Sequence, residues 1–146
     1  MNIIVLVGLP GCGKSTKAKE LEKQGYIIHS SDAIKNELNL HNKDDISNVY
    51  NILYDRIISD MKLGKNIVYD STNLTVKRRK DFLNKIKNFN YNKICYTFIV
   101  PIDICKERNS YRTGYAKVTN KAYDNMIRLF ELPTIDEGWN KIIYLS

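Results

Sequence analysis

No apolar run in the 146 residues approaches the length of a membrane span, which takes about 20 residues. A membrane partner is therefore not expected. The first apolar run, "MNIIVLVGLPG", has no basic region before it and no small-residue cleavage site, so it reads as a first strand rather than a signal peptide. Cysteine is sparse. Cys12, Cys95 and Cys105 show no paired spacing, which argues against a disulfide framework and for a reducing, cytoplasmic setting. Linkers, internal repeats and low-complexity tracts are absent, so residues 1–146 are expected to form one domain, long enough to bury a core without staples. Arginine is scarce too, 6 residues against 17 lysines, and four of the six fall in two clusters, Arg78–Arg79 and Arg108–Arg112. Arginine offers a rigid fork of donors that lysine cannot copy, so clustering of the scarce residue hints at phosphate chemistry. The net charge of +7 points the same way, toward a nucleotide or nucleic acid.

Five segments read as strands: 2–8, 26–30, 66–71, 93–100 and 141–146. They are nearly continuous apolar runs rich in isoleucine and valine, the pattern of strands buried on both faces of a parallel sheet. Helical patterns separate them. Residues 14–24 follow the first strand, and "SDAIKNEL" follows the second. In 47–63, Val49, Ile52, Leu53, Ile57 and Met61 share a face; in 75–88, Phe82, Leu83 and Ile86 line up behind a Thr75 cap. A short helix starts at Pro101, and 119–131 carries Ala122, Tyr123, Met126, Ile127 and Phe130 behind a Thr119 cap. This alternation implies crossovers and a three-layer α/β fold. Residues 38–45 are the most loop-like internal stretch.

"GLPGCGKS", Gly8 to Ser15, satisfies G-x-x-x-x-G-K-[ST] in full, after a strand and at the start of a helix. Gly8, Gly11 and Gly13 let the backbone turn its N–H groups around an anion, and the N–H groups from Cys12 to Thr16 continue the cradle. Lys14 can reach the β- and γ-phosphates and Ser15 can hold Mg²⁺, so ATP and Mg²⁺ are the expected cofactors. Cys12 sits where a thiolate is favoured, though a small tolerated residue is the simpler reading. A motor ATPase would end an apolar strand in adjacent acids, whereas Asp70 is followed by Ser71. "NKDD" (42–45) matches the base-reading motif of GTPases, but no apolar strand precedes it. A kinase needs a carboxylate near the acceptor hydroxyl and charge over the transferring phosphoryl group. Asp32 ends the second strand, at the sheet edge where ligands bind. Either preceding serine can cap the following helix and leave Asp32 free. Arg108 and Arg112 sit four apart before Gly114, as a lid would place them.

Together "GLPGCGKST", "SSDAIK", "VYDSTNLTVKRR", "ERNSYR" and "VTNKAYDNMIRLFELPTIDEGWNKIIYL" resemble the kinase domain of the 5′-hydroxyl polynucleotide kinases. The resemblance covers nearly the whole chain apart from a variable patch around 38–60. It implies a P-loop kinase fold with sheet order 2-3-1-4-5 and a lid near 108–118. It makes Asp32 the general base for a 5′-hydroxyl, with Lys14 and Arg112 acting on the transferring phosphate and Arg108 beside them. It also places Lys35, Asp70, Thr72 and Asn73 near the acceptor. Lysine at 35 departs from the phage enzyme's arginine and loses its bidentate grip. The basic turn "KRRK" (77–80) opposes the dipole of its helix, and a nucleic-acid backbone is a candidate to offset it, through Arg78. No D-x-D-x-T phosphatase motif is present, so 5′ phosphorylation alone is expected. Two other readings remain: a kinase for a small hydroxyl compound, and a nucleotide-binding module without catalysis. No aromatic-spaced platform for single strands is evident, which implies a short nucleic-acid footprint.

Overall fold

The computed structural model describes residues 1–40 and 47–146. The "NKDD" tract and most of the loop-like stretch around it lie outside those residues. In chain order the elements are β1 (Asn2–Val7), α1 (Lys14–Glu22), β2 (Ile27–Ser30), α2 (Ser31–Glu37), α3 (Ser47–Lys62), β3 (Ile67–Asp70), α4 (Val76–Lys85), β4 (Asn92–Phe98), α5 (Ile102–Ser110), α6 (Asn120–Leu129) and β5 (Lys141–Leu145). Short 3₁₀ turns at Gly114–Ala116 and Ile135–Glu137 flank α6.

The strands form one parallel sheet in the order β2-β3-β1-β4-β5. β1 is central. Its Ile3, Val5 and Val7 pack on one side with Leu53, Ile57, Phe82 and Trp139, while Ile4 and Leu6 pack on the other with Ala18, Leu21, Val68 and Tyr123. Successive side chains of a strand point to opposite faces, and both faces are covered by helices, so the buried run Ile3–Val7 of β1 is apolar at every position. Because all the pairings are parallel, the carboxyl ends of all five strands lie at one edge. The segments after β1 and β2, and Asp70 at the end of β3, therefore meet there.

The basic turn of α4 is built differently from the sequence-based expectation. Arg79 is entirely buried. Its Nε donates to Glu137 Oε1 at 2.8 Å, its Nη2 to Glu137 Oε2 at 3.2 Å, and its Nη1 to the carbonyl of Asn73 at 2.8 Å. Glu137 also accepts from the Trp139 indole at 3.2 Å and the Thr134 backbone N–H at 2.9 Å. The anion that offsets Arg79 is thus internal. The tail sequence "LPTIDEGW" is the device that presents it. Burial pushes the Glu137 carboxyl up, but the hydrogen bonds from Arg79, Thr134 and Trp139 and the Arg79 charge outweigh it and hold the group below the usual range.

Glu137→Gln leaves Arg79 buried without its counter-charge and is expected to lower unfolding free energy by about 3 kcal/mol, read from urea denaturation. A carboxyl depressed in the folded state contributes stability that is complete above its unfolded value of 4.5 and is lost as the pH falls through the lower folded value. The stability gap between wild type and Glu137→Gln therefore narrows in acid.

Candidate active site

The nucleotide-binding loop follows from local backbone demands. α1 begins after Gly13, which is left-handed (φ 104°) and supplies no side-chain cap, and the first turn carries no acidic residue. Its N-terminal N–H groups are left for an external anion, with the helix dipole aligned behind them. Gly11 is also left-handed (φ 85°), and a Cβ there would lie 2.4 Å from the Cys105 carbonyl oxygen of α5. Glycine at 11 is what lets α5 press against the loop. Arg108 Nη1 donates to the Gly11 carbonyl at 3.4 Å, and the Tyr123 hydroxyl of α6 donates to the Pro10 carbonyl at 2.7 Å. Lys14 Nζ donates to the carbonyls of Gly8 and Leu9 at 2.9 and 3.0 Å, and a phosphate in the loop would compete with them for the same ammonium.

Opposite the loop, Ser30 caps α2 by accepting from the Ala33 N–H, so Asp32 in the first turn is not the cap. The Asp32 carboxylate lies 3.9 Å from Lys35 Nζ and 3.9 Å from Arg112 Nη2, which reaches across from the segment after α5. The Ser31 hydroxyl bonds that of Ser71 at 2.9 Å and ties the ends of β2 and β3 together. Asp70, at the end of β3, accepts from the Ser15 hydroxyl at 3.4 Å. Burial raises the Asp70 carboxyl above its ordinary value; Lys14 opposes this and the Asp32 carboxylate adds to it. A half-buried carboxylate destabilised in this way, beside a hydroxyl, is a hard-oxygen pair that suits Mg²⁺, which keeps several waters and takes few protein ligands. Among the described residues no group of three metal-ligating side chains occurs.

These groups share one cavity of about 1060 Å³. Gly11, Cys12, Gly13, Lys14, Ser15, Thr16, Asp32, Lys35, Asp70, Thr72, Arg108 and Arg112 all line it, drawing every segment proposed from the sequence to one place. Three candidates do not line it. Gly8 lies beneath, offering its carbonyl to Lys14. Asn73 is buried in a left-handed conformation (φ 46°), and its Nδ2 donates to the Leu6 carbonyl at 2.9 Å. With the Gly8 N–H on the Thr72 carbonyl at 3.0 Å, it stitches the exit of β3 to that of β1. Arg78 sits behind the wall, its guanidinium 3.9 Å from the centre of the Tyr50 ring. Tyr50 and Leu40 do line the cavity, and sequence reasoning missed both. Tyr50 shares a face of α3 with the buried Leu53, Tyr54 and Ile57, so its spacing reads as core and carries no signal of a place at the cavity.

The profile of the AAA domain family matches residues 3–133. The chain belongs to this family. This AAA domain is 25% identical over 144 residues to the bifunctional polynucleotide phosphatase/kinase of Schizosaccharomyces pombe, covering 96% of this chain and 32% of that protein. It is 26% identical over 145 residues to the L-seryl-tRNA(Sec) kinase of Methanococcus maripaludis, covering 94% of this chain and 56% of that one. The AAA domain therefore spans between a third and a little over half of these relatives. Small-molecule kinases match as well: the dephospho-CoA kinase of Helicobacter pylori strain J99 is 38% identical over 87 residues, 58% of this chain and 43% of that protein. Among solved structures, a chain of the Pnkp1/Rnl/Hen1 RNA repair complex superposes with a TM-score of 0.75 at 19% identity, over 88% of this chain and 43% of that one. At that identity the likeness shows the fold. The AAA domain is thus a P-loop kinase by family, with relatives that differ in acceptor. Among its described residues no helix is long and apolar enough to cross a membrane.

Gly11→Ala forces a left-handed alanine into the Cys105 carbonyl. It is expected to cost about 2 kcal/mol or more and to abolish nucleotide binding, checked by thermal unfolding and by titration with a fluorescent ATP analogue.

Proposed function

We propose that this P-loop kinase transfers the γ-phosphate of ATP to the 5′-hydroxyl end of DNA or RNA. The observation that carries the reading is the shared cavity: a carboxylate at the head of α2 faces the phosphate loop, with one cation on each side of it. An acceptor hydroxyl bound at Asp32 gives its proton to the carboxylate as its oxygen bonds to the γ-phosphorus. The bond from that phosphorus to the β,γ-bridging oxygen breaks, and ADP leaves with the electron pair. Lys14 and Arg112 hold charge on the transferring group, and Arg108 anchors the lid segment to the loop through Gly11. Ser15 and Asp70 would hold Mg²⁺, which when bound neutralises phosphate charge. Lys35, one turn from Asp32, is placed for a phosphate of the acceptor strand, and the net charge of +7 suits a polyanion.

A second reading keeps the chemistry and changes the acceptor to a small hydroxyl compound. It is supported by the cavity volume of about 1060 Å³, at the top of the range for small-ligand pockets, and by the small-molecule kinases among the relatives.

Asp32→Asn is expected to lower transfer to a 5′-hydroxyl oligonucleotide by a factor of about 100 or more. ATP affinity should stay within about twofold, because in this reading Asp32 acts on the acceptor. Transfer by the variant at the wild-type rate would remove Asp32 from the base role.

A further inference from the structure

The acceptor end of the cavity carries an aromatic ring that the phosphate chemistry does not use. Tyr50, in the first turns of α3, lines the cavity along with Leu40, Asp32 and Lys35. Its neighbours Val49 and Leu53 are wholly buried, whereas Tyr50 is half-buried against the same core. The ring is held on two sides. The Arg78 guanidinium covers it at 3.9 Å from the centroid, much closer than the other cation–ring contacts, which run from 5.7 to 6.0 Å. The Tyr54 ring packs beside it with centroids 6.2 Å apart and planes at 50°. No carboxylate among the described residues forms an ion pair with Arg78. Its guanidinium lies against the Tyr50 ring, with Tyr54 beside it. A flat side chain so fixed loses little freedom when a second flat group stacks on it.

We propose that Tyr50, braced by Arg78, is the platform for the nucleobase of the acceptor's 5′-terminal nucleotide, and that it sets a preference for a base-bearing end over one without a base. This inference rests on the polynucleotide reading of the site. The base of a terminal nucleotide hangs close to its 5′-carbon, so a base on Tyr50 and a 5′-hydroxyl at Asp32 draw on one cavity. Stacking on a π face is tolerant of base identity, so any of the four bases is accepted. Among the described lining residues the other ring, Phe98, lies against the phosphate loop at Gly8 and Gly13, so Tyr50 offers a platform for one base, in keeping with the short footprint expected from the sequence. The residue that the sequence placed on the nucleic-acid backbone, Arg78, then acts through Tyr50 as a positioning residue.

The test uses two oligonucleotides with 5′-hydroxyl ends, identical except that the terminal nucleotide of one is abasic. kcat/KM is measured on both for wild type, Tyr50→Leu and Tyr50→Phe, with ATP affinity and thermal unfolding followed in parallel. Wild type should prefer the base-bearing end by roughly tenfold or more. Tyr50→Phe should keep that preference. Tyr50→Leu should lose it by falling on the base-bearing end while staying within about twofold of wild type on the abasic end. Equal losses on both ends in Tyr50→Leu would assign the ring a structural role and overturn the proposal. So would a wild type indifferent to the base, a result that stands even if Tyr50→Leu fails to fold. Wild-type transfer to mononucleotides but to neither oligonucleotide would instead overturn the polynucleotide reading beneath it.

Discussion

α1 begins without a side-chain cap, and the unpaired N–H groups of its first turn must meet an anion or water. Much of the molecule is arranged around that end. β1 is buried on both faces and aims the loop at the carboxyl edge of the sheet. Two left-handed glycines turn the chain tightly enough to aim backbone donors inward. The close approach of α5 at Gly11 and the Tyr123 hydroxyl on Pro10 hold the loop from behind. Lys14 spans the loop's own carbonyls with the ammonium that a phosphate would otherwise engage. An anion-binding end is thereby formed by rigid surroundings, so the ordering cost is met in folding and not in binding.

The arginines separate by environment. Arg79 is a structural cation, neutralised by Glu137 and fixed by the Asn73 carbonyl. Through it the tail holds the segment that follows β3, which carries Thr72 into the cavity. Arg108 and Arg112 line the cavity, each with one long contact, at 3.4 Å to the Gly11 carbonyl and 3.9 Å to Asp32. Such contacts are readily exchanged for phosphate oxygens, whereas the buried bidentate pair is not. Clustering of a scarce residue thus marked both the site and its foundation, and burial is what distinguishes them.

The strands were legible because a parallel sheet covered on both faces leaves continuous apolar runs, and each of the five lies within the segment read from the sequence or differs from it by a residue or two. The order β2-β3-β1-β4-β5 was legible only through the family resemblance, since periodicity does not say which strands are neighbours. The loop, and the meeting of Asp32, Arg108 and Arg112 at its cavity, were readable because their signals are local. Partnerships across the chain were not. Arg79 finds Glu137 58 residues away, and Ser15 finds Asp70 55 residues away. Asn73 read as an acceptor contact, but its left-handed backbone makes it a stitch between strands. Tyr50 lies in the patch around 38–60 that the family resemblance leaves out, and only packing of α3 against α4 reveals its Arg78 partner.

The central claim is that a carboxylate and a phosphate cradle on one edge of this sheet serve a polynucleotide acceptor. The most direct measurement is transfer of labelled γ-phosphate from ATP in a competition between 5′-hydroxyl DNA and RNA oligonucleotides and mononucleotide or sugar acceptors at equal hydroxyl concentration. The account predicts label predominantly on the oligonucleotide ends. Label confined to the small acceptors would contradict it.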